Sequence, residues 1–295
     1  MISAIIITYL PERERVLSLA ACLASQVDHV LIIDNSPADS QFSLTSSLSE
    51  VVIHHLGRNV GIAQAQNIGI AKAKEWGSRD VILFDQDSVP SPTLVQDLLD
   101  ARDIATRDGL NVAAVGPVHF DLDSGSPSRF VCTKALTLKL VTPDFKSAYF
   151  TADFIIASGS LISIEALDTI GLMENELFID CVDIEWGYRA RAKGRVCVVA
   201  QAARMDHKIG DKPLILFGRQ ITTHSPIRHY YFFRNVVLLL KRKYMPVGWK
   251  MNVSVKSLVQ AIIFTFFLSP RYTHFKYITK GFLHGILGRT GPYER

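Results

Sequence analysis

Residues 80–88 read Asp80-Val-Ile-Leu-Phe-Asp85-Gln-Asp87-Ser88. An apolar run of this length, rich in β-branched and aromatic side chains, predicts a buried strand. The run then delivers two carboxylates, Asp85 and Asp87, one residue apart. In an extended chain alternate side chains share a face, so both should leave the strand end pointing the same way, as a divalent cation carrying phosphates requires. The competing reading is a solvated turn with an Asx cap.

Working outward, similar runs occupy residues 4–8, 30–34 and 51–55. Between the first two, Val16, Leu17, Leu19, Ala20 and Leu23 form a stripe at helical spacing. Between the last of them and residue 80, Ile62, Ala65, Gln66, Gly69, Ile70 and Ala73 do the same with small residues, which should bring that helix close to the sheet. Strand alternating with helix predicts an α/β fold with a mostly parallel central sheet and helices on both faces. Ligands of such sheets bind beyond the carboxyl ends of the strands. The residues there are Thr8 and Tyr9, Asp34 and Asn35, Arg58 and Asn59, and Asp85 and Asp87, which together define one crevice suited to a nucleotide.

From Asn111 the pattern shifts to shorter strands, predicted over residues 113–116 and 154–163, around a polar loop at 121–129. A helix is predicted from near Asp183 to a C-terminal cap at Gly194, followed by a strand over 195–200. Beyond Ser225 the chain reads as helical, with aromatic and basic residues mixed. The predicted organisation is a domain over 1–220, with a nucleotide-sugar half at 1–110 and an acceptor half at 111–220, and a helical segment over 221–295.

The 295 residues are 48% hydrophobic, enough for a substantial core, and the net charge is a mild +4. The charge is uneven: residues 228–295 are rich in Lys and Arg and poor in acids, which favours an anionic neighbour. Cys22, Cys132, Cys181 and Cys197 have no Cys-x-x-Cys spacing and are expected to be buried free thiols in a reducing cytoplasm. The chain opens directly on a strand-like segment, which predicts no export signal. The longest apolar stretch, residues 258–268, is interrupted by Gln260 and Thr265 and is too short to span a bilayer. Neither the dinucleotide fingerprint nor the P-loop pattern is present, which argues against an ordinary Rossmann dehydrogenase or a P-loop NTPase. The dispersed basic residues and the lack of a reading module argue against nucleic acid.

Phosphates then need another counter-charge, and a divalent cation held by Asp87, with Asp85 on the ribose or the same ion, would supply it and stabilise a departing diphosphate. A second acidic cluster, Asp180-Cys-Val-Asp183-Ile-Glu185-Trp186, opens a helix, where the macrodipole stabilises carboxylates. Taken alone, Asp183 reads as a helix cap. His207 follows the next strand and offers a nitrogen ligand for the metal, against the plainer reading of a polar surface residue.

In order and spacing, six motifs resemble glycosyltransferase family 2, the inverting enzymes of GT-A fold, over roughly residues 3–210. They are Ile5-Ile6-Ile7-Thr8-Tyr9; Ile33-Asp34-Asn35-Ser36; Asn59-Val-Gly61-Ile-Ala63 with Gln66-Asn67-Ile-Gly69; Asp85-Gln-Asp87; Ser158-Gly159-Ser160; and Asp183-Ile-Glu185 with Arg189-Ala-Arg191. Within that family the likeness is to bacterial rhamnosyltransferases that use dTDP-L-rhamnose. It is carried by residues 178–186, by His224-Ser-Pro-Ile-Arg228-His-Tyr230-Tyr231-Phe-Phe-Arg234-Asn235, and by Gly281-Phe-Leu-His-Gly285-Ile-Leu-Gly288-Arg289-Thr-Gly291. The resemblance implies that Thr8 and Tyr9 line the base and ribose pocket, that Asp34 bonds the pyrimidine imide, and that Asn59, Gly61 and Asn67 shape the loop and helix beside the nucleotide. It implies further that Ser158, Gly159, Glu185 and Trp186 contact substrate, that Asp85 and Asp87 play the family's Asp-x-Asp role with Mg2+ or Mn2+, that His207 is the later metal-side histidine, and that Asp183 is the general base. Many members carry an acid immediately before the base, where this chain has Val182, so Asp180 and Glu185 remain alternatives.

The implied activity is transfer of L-rhamnose from dTDP-L-rhamnose to a lipid-linked saccharide in O-antigen or similar polysaccharide synthesis. The alternatives are another donor such as a UDP-hexose, or a catalytically silent sugar-nucleotide-binding subunit of an assembly complex. The C-terminal helices have two readings: attachment to an anionic membrane surface, placing the enzyme peripherally on the inner face of the cytoplasmic membrane, or a cover for the core or a homodimer interface.

Overall fold

The computed structural model describes residues 1–42, 51–122, 124–134, 136–207, 214–216 and 219–294; the side chains of His207, Leu214, Leu216, Arg219 and Gln220 lie outside that description. The first part of the chain runs β1 (Ile2–Thr8), α1 (Arg13–Ala24), β2 (His29–Asp34), β3 (Val51–His55), α2 (Ile62–Glu75), β4 (Asp80–Asp85), β5 (Val89–Pro90) and α3 (Leu94–Arg107). The second part runs β6 (Val112–Asp121), β7 (Phe130–Lys134), β8 (Thr137–Val141), β9 (Tyr149–Ala152), β10 (Ser160–Ser163), α4 (Ile164–Ile170), α5 (Val182–Ala192), β11 (Val196–His207), β12 (Leu214–Leu216) and β13 (Arg219–Ile221). Helices α6 (Pro226–Leu240), α7 (Val247–Phe267) and α8 (Arg271–Ile286) close the chain.

The main sheet has the order β3-β2-β1-β4-β10-β6-β11-β5, with β9 also paired to β11. Strands β1 to β4 are mutually parallel, so their carboxyl ends meet along one edge of the sheet. β10 inserts antiparallel between β4 and β6, and β11 is parallel to β6 with an irregularity between Ala200 and Arg204. The strand expected over 154–163 is shorter, Ser160–Ser163. Gly159 sits at φ +81 and Ser160 N–H closes a turn onto the Ala157 carbonyl, a geometry that cannot continue a strand.

Successive side chains of a strand alternate between faces, and two cores result. Ile6 and Ile32 pack with Val16 and Leu23 of α1 and Leu94 and Leu98 of α3. Ile5 and Ile33 pack on the other face with Ile70 of α2, Leu167 of α4 and Trp186 of α5. The small residues of α2 have the expected consequence: a Cβ on Gly69 would lie 2.4 Å from Ile5 Cγ2, so only glycine allows this approach. Val236 and Leu239 of α6 and Trp249 of α7 join that second core, so the C-terminal helices are built onto the sheet domain.

All four cysteines are free thiols, but only Cys181 and Cys197 are buried. Cys22 lies on the flank of α1, and Cys132 lies in the β7–β8 hairpin outside the main sheet, which leaves both partly exposed. No helix among the described residues is long and apolar enough to cross a membrane.

Candidate active site

The crevice is built from strand ends, and each is tied to its neighbour. Asp34, fully buried at the end of β2, accepts hydrogen bonds through Oδ1 from Thr8 Oγ1 (3.2 Å) and from Ser36 N–H (3.1 Å). Its Oδ2 lies 2.8 Å from His55 Nδ1 on β3. Both carboxylate oxygens are therefore engaged within the protein, and Asp34 is a hub beneath the crevice floor rather than an open acceptor. Thr8 is buried with it, while Tyr9 is exposed on the lip, its N–H donating to Gln86 Oε1 at 2.7 Å. Gln86 thus links the ends of β1 and β4.

At β4 the extended-strand premise for Asp85 and Asp87 fails. Asp85 is the last strand residue and Gln86 and Asp87 form a turn, closed by Ser88 N–H on the Asp85 carbonyl (3.2 Å). Alternation no longer dictates where Asp87 points; its carboxylate is exposed and has no partner among the described residues. Ser158 braces this corner: its Oγ accepts from Asp85 N–H (3.1 Å) and shares a 2.6 Å bond with Ser88 Oγ. Buried His119 lies with Nε2 3.0 Å from the Ser158 carbonyl, and Gly159 N–H donates to Leu83 O at 2.7 Å. A Cβ at Gly159 would come within 2.7 Å of Pro117 Cγ. Ser158 thus braces this wall mainly through its hydroxyl, and Gly159 through its backbone.

The segment before α2 is shaped in the same way. Asn59 Oδ1 accepts from Gly61 N–H (2.9 Å) and from Asn35 Nδ2 (3.1 Å), closing a polar loop beside β2. Gly61 has φ +86, and a Cβ there would sit 2.7 Å from the Phe178 carbonyl oxygen. That carbonyl accepts the Ile62 N–H at 2.7 Å, capping α2. Asn67 faces the other way: its Nδ2 donates to Met173 O (2.8 Å) and Asn175 Oδ1 (2.7 Å), while its Oδ1 accepts Met173 N–H (3.0 Å). It is a strut to the 173–175 loop, one turn further along the helix than the end beside the crevice.

The acidic cluster sorts into three environments. Glu185 is fully buried, bound by Arg189 Nε (2.8 Å) and Nη2 (2.9 Å) and by the Tyr244 hydroxyl (2.5 Å). Trp186 is buried beside it, its Nε1–H on the Gly171 carbonyl at 2.9 Å. Both expected substrate contacts are thus core residues, because the helix turns them inward toward the end of α4 and the connection between α6 and α7. Asp180 pairs with Arg228 at 2.6 Å. Asp183, partly buried, has one hydrogen bond among those described, from Ile184 N–H to Oδ1 at 2.9 Å. Burial, with the negative charges of Asp180 and Asp85 adding to it, raises its pKa to about 6. Asp85 and Asp183 are therefore near enough to feel each other electrostatically. Val182 is buried in the core, which explains why an acid is absent from that position.

The loop leading to Asp183 is strained. Phe178, Asp180 and Cys181 have φ of 66°, 65° and 65°. Such non-glycine conformations cost on the order of 1–3 kcal/mol each and persist only when the surroundings over-determine them. His207 closes β11 opposite Asp121, and its side chain lies outside the described residues. Among the described residues no three His, Cys, Asp or Glu side chains cluster as a ready-made metal cage. Residues that sequence reasoning missed are Ser36, His55, Gln86, Ser88 and His119. His55, Gln86, Ser88 and His119 meet partners 21, 77, 70 and 39 positions away, and Ser36 accepts the Leu10 N–H from 26 positions away, so no spacing announces them.

With this geometry in hand, the chain can be set beside known proteins. Residues 3–170 match the model of glycosyl transferase family 2. A protein named dTDP-rhamnosyl transferase RfbF, from Shigella flexneri, is 34% identical over 298 aligned positions, covering 98% of this chain and 97% of its own. Among solved structures, that of GalNAc-T7 with UDP, GalNAc and Mn2+ superposes with a TM-score of 0.58 at 14% identity, covering 97% of this chain and 56% of its own. That of S. aureus TarS 1-349 in complex with UDP-GlcNAc gives 0.54 at 12% identity, covering 97% and 81%. These structural likenesses speak for the fold, and the sequence matches settle the family: the chain is a glycosyltransferase belonging to glycosyl transferase family 2.

Proposed function

We propose that this enzyme transfers L-rhamnose from dTDP-L-rhamnose to a hydroxyl of a lipid-linked saccharide, with inversion at the anomeric carbon. The observation that carries the donor is the end-to-end likeness to the Shigella flexneri dTDP-rhamnosyl transferase. In this reading the nucleotide lies over Thr8, Tyr9 and the Asp34–His55 hub, against the Asn59–Gly61 loop, with its diphosphate toward Asp85 and the Ser158–Gly159 wall. The acceptor oxygen attacks the anomeric carbon from the side opposite the diphosphate. Asp183 takes the hydroxyl proton as the bond to oxygen forms, and the bond to the diphosphate breaks, releasing dTDP.

Asp183 is favoured as the base over its neighbours by their surroundings. Glu185 is buried under Arg189 and Tyr244, and Asp180 is paired with Arg228, whereas Asp183 feels the charge of Asp85 and has a pKa of about 6, suited to accepting a proton near neutrality. Asp85 and the exposed, unpartnered Asp87 are a hard oxygen donor set that fits Mg2+ or Mn2+, which are held by one or two carboxylates together with phosphate oxygens and water. Bound there, the ion would supply charge for the departing diphosphate. His207 is proposed on the same side of the site from its place at the end of β11.

A lipid-linked acceptor is supported by the outer face of the C-terminal segment, residues 221–295. Met251, Val255, Leu258, Ile262 and Phe266 form one exposed stripe along α7, with Lys256, Arg271 and Lys276 exposed nearby. No Asp or Glu occurs between Lys212 and Glu294. This combination suits a helix lying on an anionic bilayer and supports the reading of a peripheral enzyme on the cytoplasmic membrane face, in O-antigen or similar polysaccharide synthesis.

The test is thermal stabilisation and transfer with dTDP-L-rhamnose, dTDP, UDP-hexoses and GDP-sugars, with and without Mg2+. A specific ligand at 100 times its Kd stabilises by about 2.7 kcal/mol. Stabilisation by dTDP ligands alone is expected; stabilisation by UDP- or GDP-sugars but not by dTDP-sugars would overturn the donor assignment.

A further inference from the structure

We propose that Arg234 and Asn235 of α6 form a clamp that positions the base: they hold the strained 177–181 backbone from behind and so fix where Asp183 enters the crevice. The inference rests on the reading of Asp183 as the base and goes beyond it by assigning the part that holds it. Asn235 is fully buried, and its Nδ2 reaches the carbonyls of Leu177 (2.9 Å), Ile179 (2.8 Å) and Asp180 (2.8 Å). One amide group thus engages both sides of Phe178 and the first residue of the Asp180–Cys181 left-handed pair. Its Oδ1 accepts from Arg234 Nε at 3.0 Å, which fixes the amide with its donors toward the loop.

Arg234 is fully buried as well; beyond the bond from Nε to Asn235, its guanidinium reaches backbone oxygens, Leu177 O (2.9 Å) and Glu176 O (3.3 Å) through Nη2 and Gly291 O (2.5 Å) through Nη1, and lies 5.4 Å and 5.0 Å from the ring centroids of Tyr230 and Tyr231. Gly291 N–H returns to Glu176 O at 2.8 Å, so the tail after α8 is tied to the same loop. The Phe178 ring stacks on Tyr231, also of α6, with centroids 4.8 Å apart, while the Phe178 carbonyl caps α2. The loop is gripped from α6, from α2 and from the tail. Helix α5 begins at Val182, directly after it, so any shift of residues 177–181 is passed to Asp183 within two residues.

Stability alone does not call for this arrangement. Burying a guanidinium against carbonyls costs desolvation that an apolar pair of similar volume would avoid. What the donors achieve is a backbone conformation that fixes an otherwise lightly bonded carboxylate in the first turn of α5. That is the supporting shell a catalytic group needs, since a displacement of about 1 Å can cost about 100-fold in rate.

The experiment uses the full-length enzyme and compares Asn235→Ala and Asn235→Ser with Lys241→Met. Lys241 follows directly on the same helix, but its Nζ caps the end of α8 through Gly285 O and Ile286 O (both 2.8 Å) and does not touch the loop. Melting temperature, dTDP affinity, kcat and donor KM are measured for each, with Asp183→Asn alongside. The clamp predicts a fall in kcat of about 10- to 100-fold for Asn235→Ala, with dTDP affinity and donor KM within about twofold, and a smaller fall for Asn235→Ser, which keeps one donor. Lys241→Met should lose stability while keeping kcat. If Asn235→Ala does not fold, the same comparison is made with Asn235→Ser alone. Wild-type kcat in the Asn235 variants with an inactive Asp183→Asn would overturn the clamp and leave the base standing. Wild-type turnover in Asp183→Asn would overturn both, because the clamp acts through that carboxylate.

Discussion

The strand ends and the C-terminal helices both shape the crevice, and they do so by opposite means. At the strand ends, a residue is held by the strand beside it: Thr8 by Asp34, Asp34 by His55, Tyr9 by Gln86. The backbone there follows from parallel pairing. The acidic loop has no strand to hold it and takes three left-handed non-glycine residues, restrained by side chains more than fifty positions later in the chain. The comparison teaches that the proposed donor side of this site is a product of the sheet, while the proposed base side depends on the helices added to it.

The largest expected effect separates a carboxylate that works from one that holds. Asp183→Asn should cut transfer by about 10²- to 10⁴-fold at unchanged dTDP affinity. Burial raises the folded pKa to about 6 from an ordinary 3.8, so between those values the folded state binds more protons than the unfolded state. The folded enzyme is then most favoured by this group below about pH 4 and loses that contribution as pH rises through about 6. Replacing it should therefore raise stability at pH 7, on the order of 1–3 kcal/mol, while wild-type activity falls as pH drops below about 6. Glu185→Ala should do the reverse: a stability loss of about 3–5 kcal/mol from stranding Arg189, with kcat of the folded fraction within about threefold. Calorimetry and steady-state kinetics on the two variants decide; a crossed outcome would mean that the base lies at Glu185.

A smaller effect is expected at the end of β4. Asp87→Ala should lower kcat/KM by about 100-fold through loss of metal-assisted departure of dTDP, with stability changed by less than about 0.5 kcal/mol because the side chain is exposed. Excess chelator should reproduce it in the wild type. Full transfer in chelator would show that this region needs no metal and would narrow its role to the nucleotide.

The smallest effect is sought on the outer face of the C-terminal helices, where each engaged Lys or Arg is worth about 1 kcal/mol on an anionic surface. The protein should co-sediment with vesicles containing anionic lipid and be released by salt. Equal partitioning onto neutral vesicles, or none onto either, would assign the α7 stripe to packing between copies of the chain instead.

Much of the fold is legible in the order of the residues. The four parallel strands, the crevice at their ends, the α2 glycine that lets the helix approach the sheet and the helix beginning near Asp183 all follow from apolar periodicity and from local punctuation by glycine, because those signals act over a few residues. What periodicity cannot carry is the partner of a polar side chain. The same cluster offers Asp180, Asp183 and Glu185 as bases, and only packing distinguishes them: Arg228 neutralises the first, Arg189 and Tyr244 lock the third, and the second keeps a backbone hydrogen bond and feels the charge of Asp85. Asn67 reads as a nucleotide residue and is a strut, and Asp87 loses its expected direction because the chain turns at Gln86. The sequence by itself thus determined the first four strands, the helices between them and the edge where their polar residues collect, since burial pattern and chain connectivity are local properties. The tertiary structure alone decided which carboxylate is poised and what holds it there, since burial, charge and hydrogen bonding at Asp183 are set by residues that only folding brings within reach.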